Sequence, residues 1–575
     1  IATFGTPGEN TTDEADQSLN AERERRLSPI EVYRVRAPGS IARAESAAAQ
    51  LLVSGGGHAW PALNRLGLLD SPSGVVFTAE QSAEELTNAL ENGSPLIVTD
   101  TNRRRADIIG VSGRSSYSLA ADAQLDREVY EMFDTPGAQS VASYGAARTV
   151  DQAGQTDPTG AGQPWFRPAA AIDGDRFTAW RANARDPVGE GIRVEFTEPT
   201  FLDRVDVDTV GDLNGQQRIS ELRLVTDSGF TTSMSVTDDR ASAELATTVQ
   251  WVEITIASVA GPGSGRVGLA ELSLGGAPLE ERINTPSDLA DAAARNPELA
   301  AALGRAPTAV AFQRAAGAGP APEERLFRRG FTAFGDDTYE GTGSVAFDVD
   351  VPGSLLAQTL GRPIVASSPA PTAPVLSQTP FAAVDGDDTT GWVVRDAEAS
   401  ARLDLSFTPR SVETVVVQAR TGAGFAPITE VLVSHSGEII GRGTPEGPCP
   451  PGDQCRVDIL VDVSAAANTE LEIELRPELE SDGPLSLRVD EVLLDGARNE
   501  PLAGQLPPAC VDGVLMLDGA GVGVQFEGTS QDLLRGIAVD VRTCDPLSIP
   551  TGAHELDSGE GVIIEDLELL GEEFE

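Results

Sequence analysis

An internal repeat constrains the fold of this chain more than any other feature of its sequence. Residues 173–180 read DGDRFTAW, and residues 385–392 read DGDDTTGW, 212 residues later. Aspartate, glycine, aspartate, threonine and tryptophan recur at the same offsets in both. A VAS tripeptide precedes each copy, and a glutamate, Glu271 or Glu491, follows its first aspartate by 98 or 106 residues. This agreement in order and spacing indicates one structural module that occurs twice.

Strand-like patterning surrounds both copies of the motif. Apolar and polar residues alternate in IRVEFTEPTFLDRVDVDTV and in ARLDLSFTPRSVETVVVQAR, as they do in strands with one buried face. Elsewhere, strand and helix patterns alternate early in the chain, which favours a small α/β domain. We therefore predict a mainly β, multidomain protein with the following parts: a linker or arm over 1–27, the α/β domain over 28–140, β-sandwiches over 141–276 and 363–497, a helical connector with a β segment over 277–362, and a C-terminal β region over 498–575.

The charge of the chain narrows its class of partners. Its 575 residues carry 89 acidic side chains against 42 basic ones, all of them arginine, for a formal net charge of −47. Nucleic acid and anionic membrane surfaces would repel such a chain. No run of about 20 apolar residues occurs, so no membrane span is predicted. Because the chain begins at Ile1 with neither an initiator methionine nor a signal peptide, we expect it to be part of a longer protein.

Four cysteines indicate an oxidising compartment. The CPPGDQC loop places Cys449 six residues before Cys455, which is too far for a zinc knuckle and suits a short-range disulfide. The spacing predicts Cys449–Cys455, and elimination then predicts Cys510–Cys544. Crossed pairings remain open, because spacing alone does not fix connectivity.

The repeated motif suits a calcium ion. Asp-Gly favours a turn, and carboxylates two residues apart in a turn converge on one point. Hard oxygens of this kind are the ligands that Ca²⁺ prefers. The alternative is a metal-free turn that is closed by hydrogen bonds.

The pattern VAS…DGD-x₂-T-x-W…E resembles the discoidin, or coagulation-factor type C, family of galactose-binding-like β-sandwiches, which includes many carbohydrate-binding modules. The resemblance implies a structural Ca²⁺. It also implies that Trp180 and Trp392 are buried in the two cores. The implied calcium ligands are Asp173, Asp175, Thr178 and Glu271 in the first repeat, and Asp385, Asp387, Thr390 and Glu491 in the second.

Loops at one end of such sandwiches usually hold the ligand, because residues there vary without disturbing the core. Trp165, Phe166 and Arg181 in the first repeat, and Arg395 in the second, are the candidate carbohydrate-binding residues. Arginine offers paired N–H donors to sugar hydroxyls, and the aromatic rings offer a stacking face. The alternative for the aromatic pair is a hydrophobic plug beneath the loop.

The α/β segment with LIVTDTNRRR, followed by discoidin-like repeats, is similar to the extracytoplasmic region of actinobacterial membrane α-(1→3)-arabinofuranosyltransferases. The resemblance implies a carbohydrate-binding region that is tethered outside the plasma membrane, with arabinan and the transmembrane domain of its own polypeptide as partners. It places catalysis in that membrane domain, so we expect this chain to be non-catalytic and predict no catalytic residue. The alternative is an accessory or adhesion region of a secreted cell-surface protein or glycoside hydrolase.

The histidines, a glycine-rich segment and an arginine run are three further candidates for function, and each has a simpler structural interpretation. The histidines His58, His435 and His554 lie in separate segments without a metalloprotease or nucleophile-elbow motif, which argues against histidine-based hydrolysis. The SGGGHAW segment is either a phosphate cradle or a tight strand-to-helix turn. The arginines of NRRR, from residue 102, bind an anion or pair with local carboxylates.

Overall fold

The computed structural model describes residues 46–574 apart from 71–72, 107–116, 124–128, 131, 154–165, 176–177, 183–184, 213–215, 263–264, 315–322, 370–374, 388, 396–399, 423, 446–453, 464–466, 479–485, 498 and 503. Two compact units divide the chain, one of residues 1–49 and 72–74 and the other of residues 50–71 and 75–575. Nearly all of the first unit, including the predicted arm over residues 1–27, lies outside the described residues. The second unit contains both repeats.

The region before the first repeat alternates strands and helices, as its sequence pattern predicts. Its elements are β1 (Ser46–Ser54), α1 (Trp60–Arg65), β2 (Ser73–Phe77), α2 (Ala83–Glu91), β3 (Leu96–Thr99), β4 (Arg105–Ala106), β5 (Val129–Tyr130) and β6 (Val141–Ser143). Strands β1 and β3 pair in parallel. Helix α2 begins where the sequence predicts, because Ser82 and Glu85 form a reciprocal capping box.

The first repeat is an antiparallel β-sandwich built on two very long strands. Its strands are β7 (Ala147–Ala153), β8 (Trp180–Arg181), β9 (Gly191–Val210), β10 (Arg218–Thr226), β11 (Thr231–Ser235), β12 (Arg240–Ala260) and β13 (Gly268–Leu274). The first half of β9 pairs with β7, and its second half pairs with β13. The pairing of β9 with β12 shifts register along the way. Both long strands therefore take part in both layers of the sandwich.

A connector follows, with elements β14 (Arg282–Asn284), α3 (Asp288–Arg295), α4 (Pro297–Leu303), β15 (Thr308–Gln313), β16 (Arg328–Ala333), β17 (Asp337–Phe347) and α5 (Gly353–Thr359). Helices α3 and α4 correspond to the predicted alanine-rich helical stretch. They are separated at Asn296, whose side chain caps α4 by accepting from the Glu298 N–H at 3.0 Å. Pro297 occupies the first turn of α4, where a missing N–H is tolerated.

The second repeat has the same topology with its long strands divided. Its strands are β18 (Ile364–Ser367), β19 (Trp392–Val394), β20 (Ala401–Ser411), β21 (Thr414–Gly422), β22 (Ile428–His435), β23 (Glu438–Gly443), β24 (Gln454–Asp462), β25 (Ala467–Pro477) and β26 (Leu487–Leu494). They form two sheets, in the orders β18-β20-β25-β22-β23 and β19-β26-β21-β24. Strands β20 and β21 together correspond to β9, and β24 and β25 together correspond to β12. The DGD motifs and the strands after them therefore repeat in the fold. The VAS segments do not: Val141–Ser143 forms β6, which pairs with β14 of the connector, whereas Ile364–Ser367 forms β18 of the second sandwich. The first sandwich thus begins at β7, and its predicted start at residue 141 is wrong.

The C-terminal region is again made of strands. Its elements are β27 (Cys510–Leu517), β28 (Ala520–Glu527), α6 (Ser530–Leu534), β29 (Val539–Thr543), β30 (Leu547–Ile549), β31 (Gly552–Ser558) and β32 (Val562–Gly571). Strand β17, before the second repeat, pairs with β29 and β32, after it. The second repeat is therefore inserted between strands that pair directly with each other.

One large sheet joins regions that lie far apart in the sequence. It has fourteen strands, and its order from β1 onward is β1-β3-β15-β32-β17-β29-β28-β27-β31-β16-β14-β6. Strand β15 lies parallel to β3 on one side and antiparallel to β32 on the other. The strands of the predicted α/β domain thus continue into the sheet of the C-terminal region. The predicted fold class, mainly β with several sheets, is confirmed.

The two repeats have separate hydrophobic cores. The first repeat has its own core, with the Trp180 side chain 1% exposed. The core of the second repeat, with Trp392 also 1% exposed, is continuous with that of the C-terminal region. Both tryptophans are structural, as the resemblance implies, and the second repeat shares its apolar interior with its neighbour.

The disulfide Cys510–Cys544 joins the start of β27 to the residue after β29 and confirms the second predicted pairing. Cys455 is also disulfide-bonded. Cys449 lies outside the described residues, so its pairing with Cys455 stays a prediction.

A buried network of charges links the α/β region to the central sheet. Asp100 follows β3, and its carboxylate accepts hydrogen bonds from Arg103 at 2.9 Å and from Arg329, on β16, at 2.7 Å. Both arginines also bind Glu324. Burial alone would raise the pKa of Glu324, but the two guanidinium groups hold that pKa well below its usual range. Glu324 therefore stays ionised between its two arginine partners.

We expect Arg329→Met to destabilise the chain by about 3–5 kcal/mol, because it leaves Asp100 and Glu324 buried with one cation fewer. Urea unfolding measured by circular dichroism would detect the change. The matched control is Arg402→Met, which breaks a half-exposed pair with Asp404 and should cost less than about 1 kcal/mol. Equal stability of Arg329→Met and wild-type protein would show that the buried network is dispensable.

Candidate functional site

The first DGD motif folds into a hydrogen-bonded turn. The Thr178 hydroxyl donates to the Asp173 carboxylate, with 2.8 and 2.9 Å between Oγ1 and its two oxygens. The Asp175 N–H donates to the same carboxylate at 3.1 Å. Gly174 has a φ of +74°, a conformation that glycine adopts without strain. Each residue type of the motif thus has a role in closing this turn.

The second motif forms the same turn. The Thr390 hydroxyl donates to Asp385 Oδ2 at 2.8 Å, and the Asp387 N–H donates to Asp385 Oδ1 at 2.9 Å. Gly386 has a φ of +80°. The conserved offsets between the two copies therefore specify one backbone geometry twice.

The closing glutamates lie against these turns, as the sequence predicts. The Gly174 N–H donates to the Glu271 carboxylate, and the Gly386 N–H donates to Glu491 Oε2 at 3.2 Å. Each glutamate comes from the last strand of its sandwich, β13 or β26, which runs beside the turn. The predicted residues of each repeat are thereby gathered in one place, although they lie about 100 residues apart in the chain.

Burial perturbs the carboxyl groups of the turns. Burial, opposed by Arg167, raises the pKa of Asp173 to about 7. Burial, with the neighbouring Asp173 carboxylate, raises the pKa of Glu271 to about 8. Burial also raises the pKa of Asp385 to about 6. Ionising both acids of the first turn is unfavourable in the absence of a further cation.

The two turns differ in what surrounds them. In both turns an arginine donates to the carbonyl oxygen of the first aspartate: Arg328 at 2.7 Å and Arg362 at 3.2 Å. At the first turn, Arg325 also pairs with Asp175 Oδ1 at 2.7 Å. At the second turn, the closing glutamate accepts a hydrogen bond from a neutral group: the Asn499 side chain donates to Glu491 Oε1 at 2.8 Å. Identical motifs thus have different electrostatic settings, because their neighbours come from elsewhere in the chain.

The first turn suits a cation better than the second. Glu271 Oε2 is buried and has no hydrogen-bond partner within the described chain. By contrast, the Glu491 carboxylate accepts hydrogen bonds from the Gly386 N–H and the Asn499 side chain. The described residues contain no group of three or more Asp, Glu, His or Cys side chains arranged to hold a metal ion. A cation at the first turn would therefore depend on Asp173, Glu271 and neutral oxygens, which is a donor set that Ca²⁺ accepts.

Two predicted carbohydrate-binding residues meet at one end of the first sandwich. The Arg181 guanidinium lies 5.6 Å from the centroid of the Phe166 ring, and that of Arg266 lies 5.7 Å from it. Arg181 donates to the backbone oxygens of Gly211 and Arg266 at 2.8 and 2.6 Å, which fixes its position. Burial, with repulsion from Arg266, lowers the pKa of Arg181. We call Phe166, Arg181 and Arg266 the loop-end cluster; all three are half-buried.

Sequence reasoning missed Arg266, because it lies 85 residues after Arg181 and its only signal is a position two residues before β13. Trp165 lies outside the described residues. Arg395 is exposed, just after β19.

The second repeat lacks the loop-end cluster: at the 212-residue offset, Gln378 replaces Phe166 and a buried valine replaces Arg181. The two repeats are therefore not equivalent in binding chemistry.

The other candidate anion sites have structural explanations. Arg103 of NRRR is paired with Asp100 and Glu324, as the alternative interpretation holds. In SGGGHAW, a side chain at Gly55 would collide with the Thr99 hydroxyl, since a Cβ there would lie 2.0 Å from it. The three glycines therefore serve a tight strand-to-helix turn.

The fold and the site define a mainly β protein with two copies of one sandwich module, as the resemblance to discoidin domains implies. Residues 1–153 match the family model described as "Alpha-(1->3)-arabinofuranosyltransferase, N-terminal GT-C domain". A comparison with curated proteins found no match. The resemblance to these arabinofuranosyltransferases that the sequence predicts is confirmed by the family model and by solved structures.

The arabinofuranosyltransferase AftD from Mycobacteria is similar to the whole chain. Its cryo-EM structure aligns with 100% of this chain and 47% of its own, at 18% identity and a TM-score of 0.55. A mutant form aligns at 18% identity, with 100% and 48% coverage and a TM-score of 0.54. The chain thus has the fold of about half of that enzyme.

The CBM32-1 and CBM32-2 domains of Clostridium perfringens ZmpB, in complex with GalNAc, align with 62% of this chain and 96% of their own, at 11% identity. Their TM-score of 0.26 is too low to support a conclusion. None of the helices in the described part of the chain is long and apolar enough to cross a membrane.

The raised pKa of Glu271 makes the stability of the chain depend on pH. In metal-free buffer, the folded protein holds a proton on Glu271 up to about pH 8, whereas the unfolded chain loses it near pH 4.5. The contribution of Glu271 to the melting temperature should therefore be greatest below pH 4.5 and should fall as pH rises to about 8.

Glu271→Gln should flatten this fall, because the amide does not titrate. Calorimetric melting between pH 5 and 8 measures the difference. Glu244→Gln, a substitution at a side chain 83% exposed on the same sandwich, should keep the wild-type profile. An unchanged profile in Glu271→Gln would show that this carboxyl group is not protonated in the folded state.

Proposed function

We propose that this chain is the carbohydrate-binding, extracytoplasmic part of a membrane arabinofuranosyltransferase and that it binds the arabinan acceptor of that enzyme. Two observations support the class of enzyme: the family match over residues 1–153 and the shared fold with mycobacterial AftD. The aligned structures are about twice as long as this chain. We place the transmembrane domain and the catalytic residues in the remainder of the polypeptide and assign no catalytic residue here.

The loop-end cluster is the observation that carries the binding proposal. Two guanidinium groups lie 5.6 and 5.7 Å from the centroid of its ring, and Phe166 remains partly exposed. An aromatic face packs against the C–H surface of a sugar ring, while guanidinium N–H groups donate to its hydroxyls. The lowered pKa of Arg181 reflects a partly dehydrated site, in which such hydrogen bonds are stronger than in water.

The acceptor suits the electrostatics of the chain. Arabinan is a neutral polymer, so the net charge of −47 does not repel it. A shallow site that buries few atoms should bind in the range of about 10 µM to millimolar. Weak binding is useful in a tethered enzyme, because the polymer must be released after it has been extended.

Calorimetric titration with arabinofuranose oligomers tests the binding proposal. Phe166→Ala and Arg266→Ala should each weaken binding about tenfold, because each removes one face of the cluster. The control is Arg218→Ala, which changes a guanidinium whose side chain is 61% exposed on the same sandwich and should bind as wild-type does. Galactan and mannan oligomers serve as comparison ligands. Equal lack of response to all three sugars by folded protein would refute the proposal.

We also infer that the first DGD turn binds Ca²⁺, which would add positive charge beside the Asp173 and Glu271 carboxylates. Binding there would stabilise the fold by linkage, because the unfolded chain does not gather these oxygens. The observation that favours this turn over the second is the unpartnered, buried Glu271 Oε2.

At pH 8, calcium should raise the melting temperature, and a chelator should reverse the rise. Glu271→Gln should remove this response, whereas Glu491→Gln, the equivalent change at the second turn, should retain it. Calorimetry with calcium chloride gives the stoichiometry, for which we expect one ion per chain. A chelator that leaves wild-type melting unchanged would show that both turns are closed by hydrogen bonds alone.

A further inference from the structure

A large groove lies between the second sandwich and the C-terminal region, on a different part of the molecule from the loop-end cluster. Its volume is about 1110 Å³. One wall is the second DGD turn together with the short helix Leu376–Gln378. The other is formed by α6, the end of β17 and the start of β32, and Pro501, Leu502 and Gly504 close one side. Small-molecule sites typically measure about 300–1,000 Å³, so this groove is large enough for a ligand of several units.

The walls of the groove are fixed to each other. A Cβ at Gly386 would lie 2.6 and 2.7 Å from the carbonyl oxygens of Asn499 and Glu500, so the turn touches the connecting segment directly. That segment continues to α6, where the Ser530 N–H donates to the Gly504 oxygen at 3.3 Å. The two walls also share one continuous apolar core. The groove is therefore a formed feature of the fold.

Polar groups without partners face this groove. Asp387 Oδ1 accepts hydrogen bonds from the Thr389 N–H at 2.9 Å and from its hydroxyl at 2.7 Å, while Oδ2 has no partner among the described residues. Gln531 and Arg535, on the opposite wall, are exposed, and neither side chain bonds to another described residue. Asp387 Oδ2 is thus an acceptor on one wall, and the Arg535 guanidinium and the Gln531 amide offer donors on the other, which suits a ligand that carries both types of group.

Apolar side chains lie between these polar groups. Val375 is 45% exposed, and Leu502, Leu534 and Ile563 are half-buried along the groove. Solvent contact of this kind is unfavourable in itself and is relieved when a ligand covers it. A ligand for the groove must therefore present C–H surface as well as hydroxyl or amide groups.

The ligand that fits best is a neutral oligosaccharide. Sugar rings combine C–H faces with hydroxyls that both donate and accept. An anionic ligand would meet the carboxylates of Asp348 and Asp387 in a chain of net charge −47. A peptide is less well matched, because the walls consist of turns and a helix, whereas extended peptides usually add to an open strand edge.

We propose that this groove is a second carbohydrate site, which binds a segment of several neutral sugar units. Asp387 accepts from the hydroxyls of the sugar chain, Gln531 and Arg535 donate to them, and the apolar residues contact its C–H faces. The site is independent of the loop-end cluster: it lies on the second repeat, where that cluster is absent, and it requires a chain longer than one sugar.

Titration with neutral hexasaccharides of arabinofuranose and galactofuranose, and with the corresponding monosaccharides, tests the proposal. The background is the 575-residue chain carrying Phe166→Ala, so that the loop-end cluster contributes little. In it, the paired substitution Gln531→Ala with Arg535→Ala should weaken hexasaccharide binding at least tenfold. The melting temperature should not change, because both side chains are exposed and neither forms a hydrogen bond or ion pair with another described residue. Arg542→Ala, at an exposed arginine of β29 that bonds to Gln525, should bind as the background does.

A second variant blocks the groove without removing a polar group. A Cβ at Gly504 would meet no heavy atom within 4 Å, so Gly504→Trp can place its ring in the groove without displacing the backbone. It should abolish hexasaccharide binding in the Phe166→Ala background and leave the melting temperature within a few degrees of it.

The outcomes separate this proposal from that of the loop-end cluster. Loss of binding in the groove variants, with hexasaccharide preferred over monosaccharide, supports the groove site. If Phe166→Ala alone removes hexasaccharide binding and the groove substitutions have no further effect, the result supports the loop-end cluster and overturns the groove site. Binding of an apolar peptide but of no sugar would also overturn it.

Discussion

Buried arginine–carboxylate pairs connect segments of this chain that are distant in sequence, and the packing of its parts depends on them. Arg329 on β16 and Arg103 after β3 share Asp100 and Glu324, while Arg325 reaches Asp175 in the first repeat. A guanidinium presents several donors in a fixed planar fork, so one side chain can satisfy two carboxylates at once. A lysine would supply a single point of charge. In a chain without lysine, these forks hold the first repeat and the α/β strands to the central sheet.

Local patterns in the sequence predict the modules but not how the modules join. The alternation of apolar and polar residues is a local pattern, and the structure follows it in both sandwiches. The caps at Ser82 and Asn296 are equally local, because each side chain accepts from an N–H two or three residues later. The insertion of β15 between β3 and β32 has no local signal, because its flanks come from the two ends of the chain. The predicted α/β segment therefore shares a sheet that composition and periodicity do not reveal.

The candidate site shows the same limit at the level of single residues. The DGD motif specifies its turn, so Asp173 and Asp385 make matching bonds to their threonines. The closing glutamates differ because their other neighbours are non-local: Asn499 donates to Glu491, whereas no group in the described part of the chain donates to Glu271 Oε2. A repeated motif is thus sufficient evidence for a repeated turn, and it is insufficient evidence for a repeated ligand.

Divergence between the repeats has a consequence for a polymer that binds both. The loop-end cluster offers one aromatic ring with two guanidinium groups near it, and the groove offers a longer channel lined by polar and apolar groups. The two proposed sites would therefore recognise different lengths of a sugar chain. Because they belong to one polypeptide, a polymer bound at one of them would meet the other at a raised effective concentration.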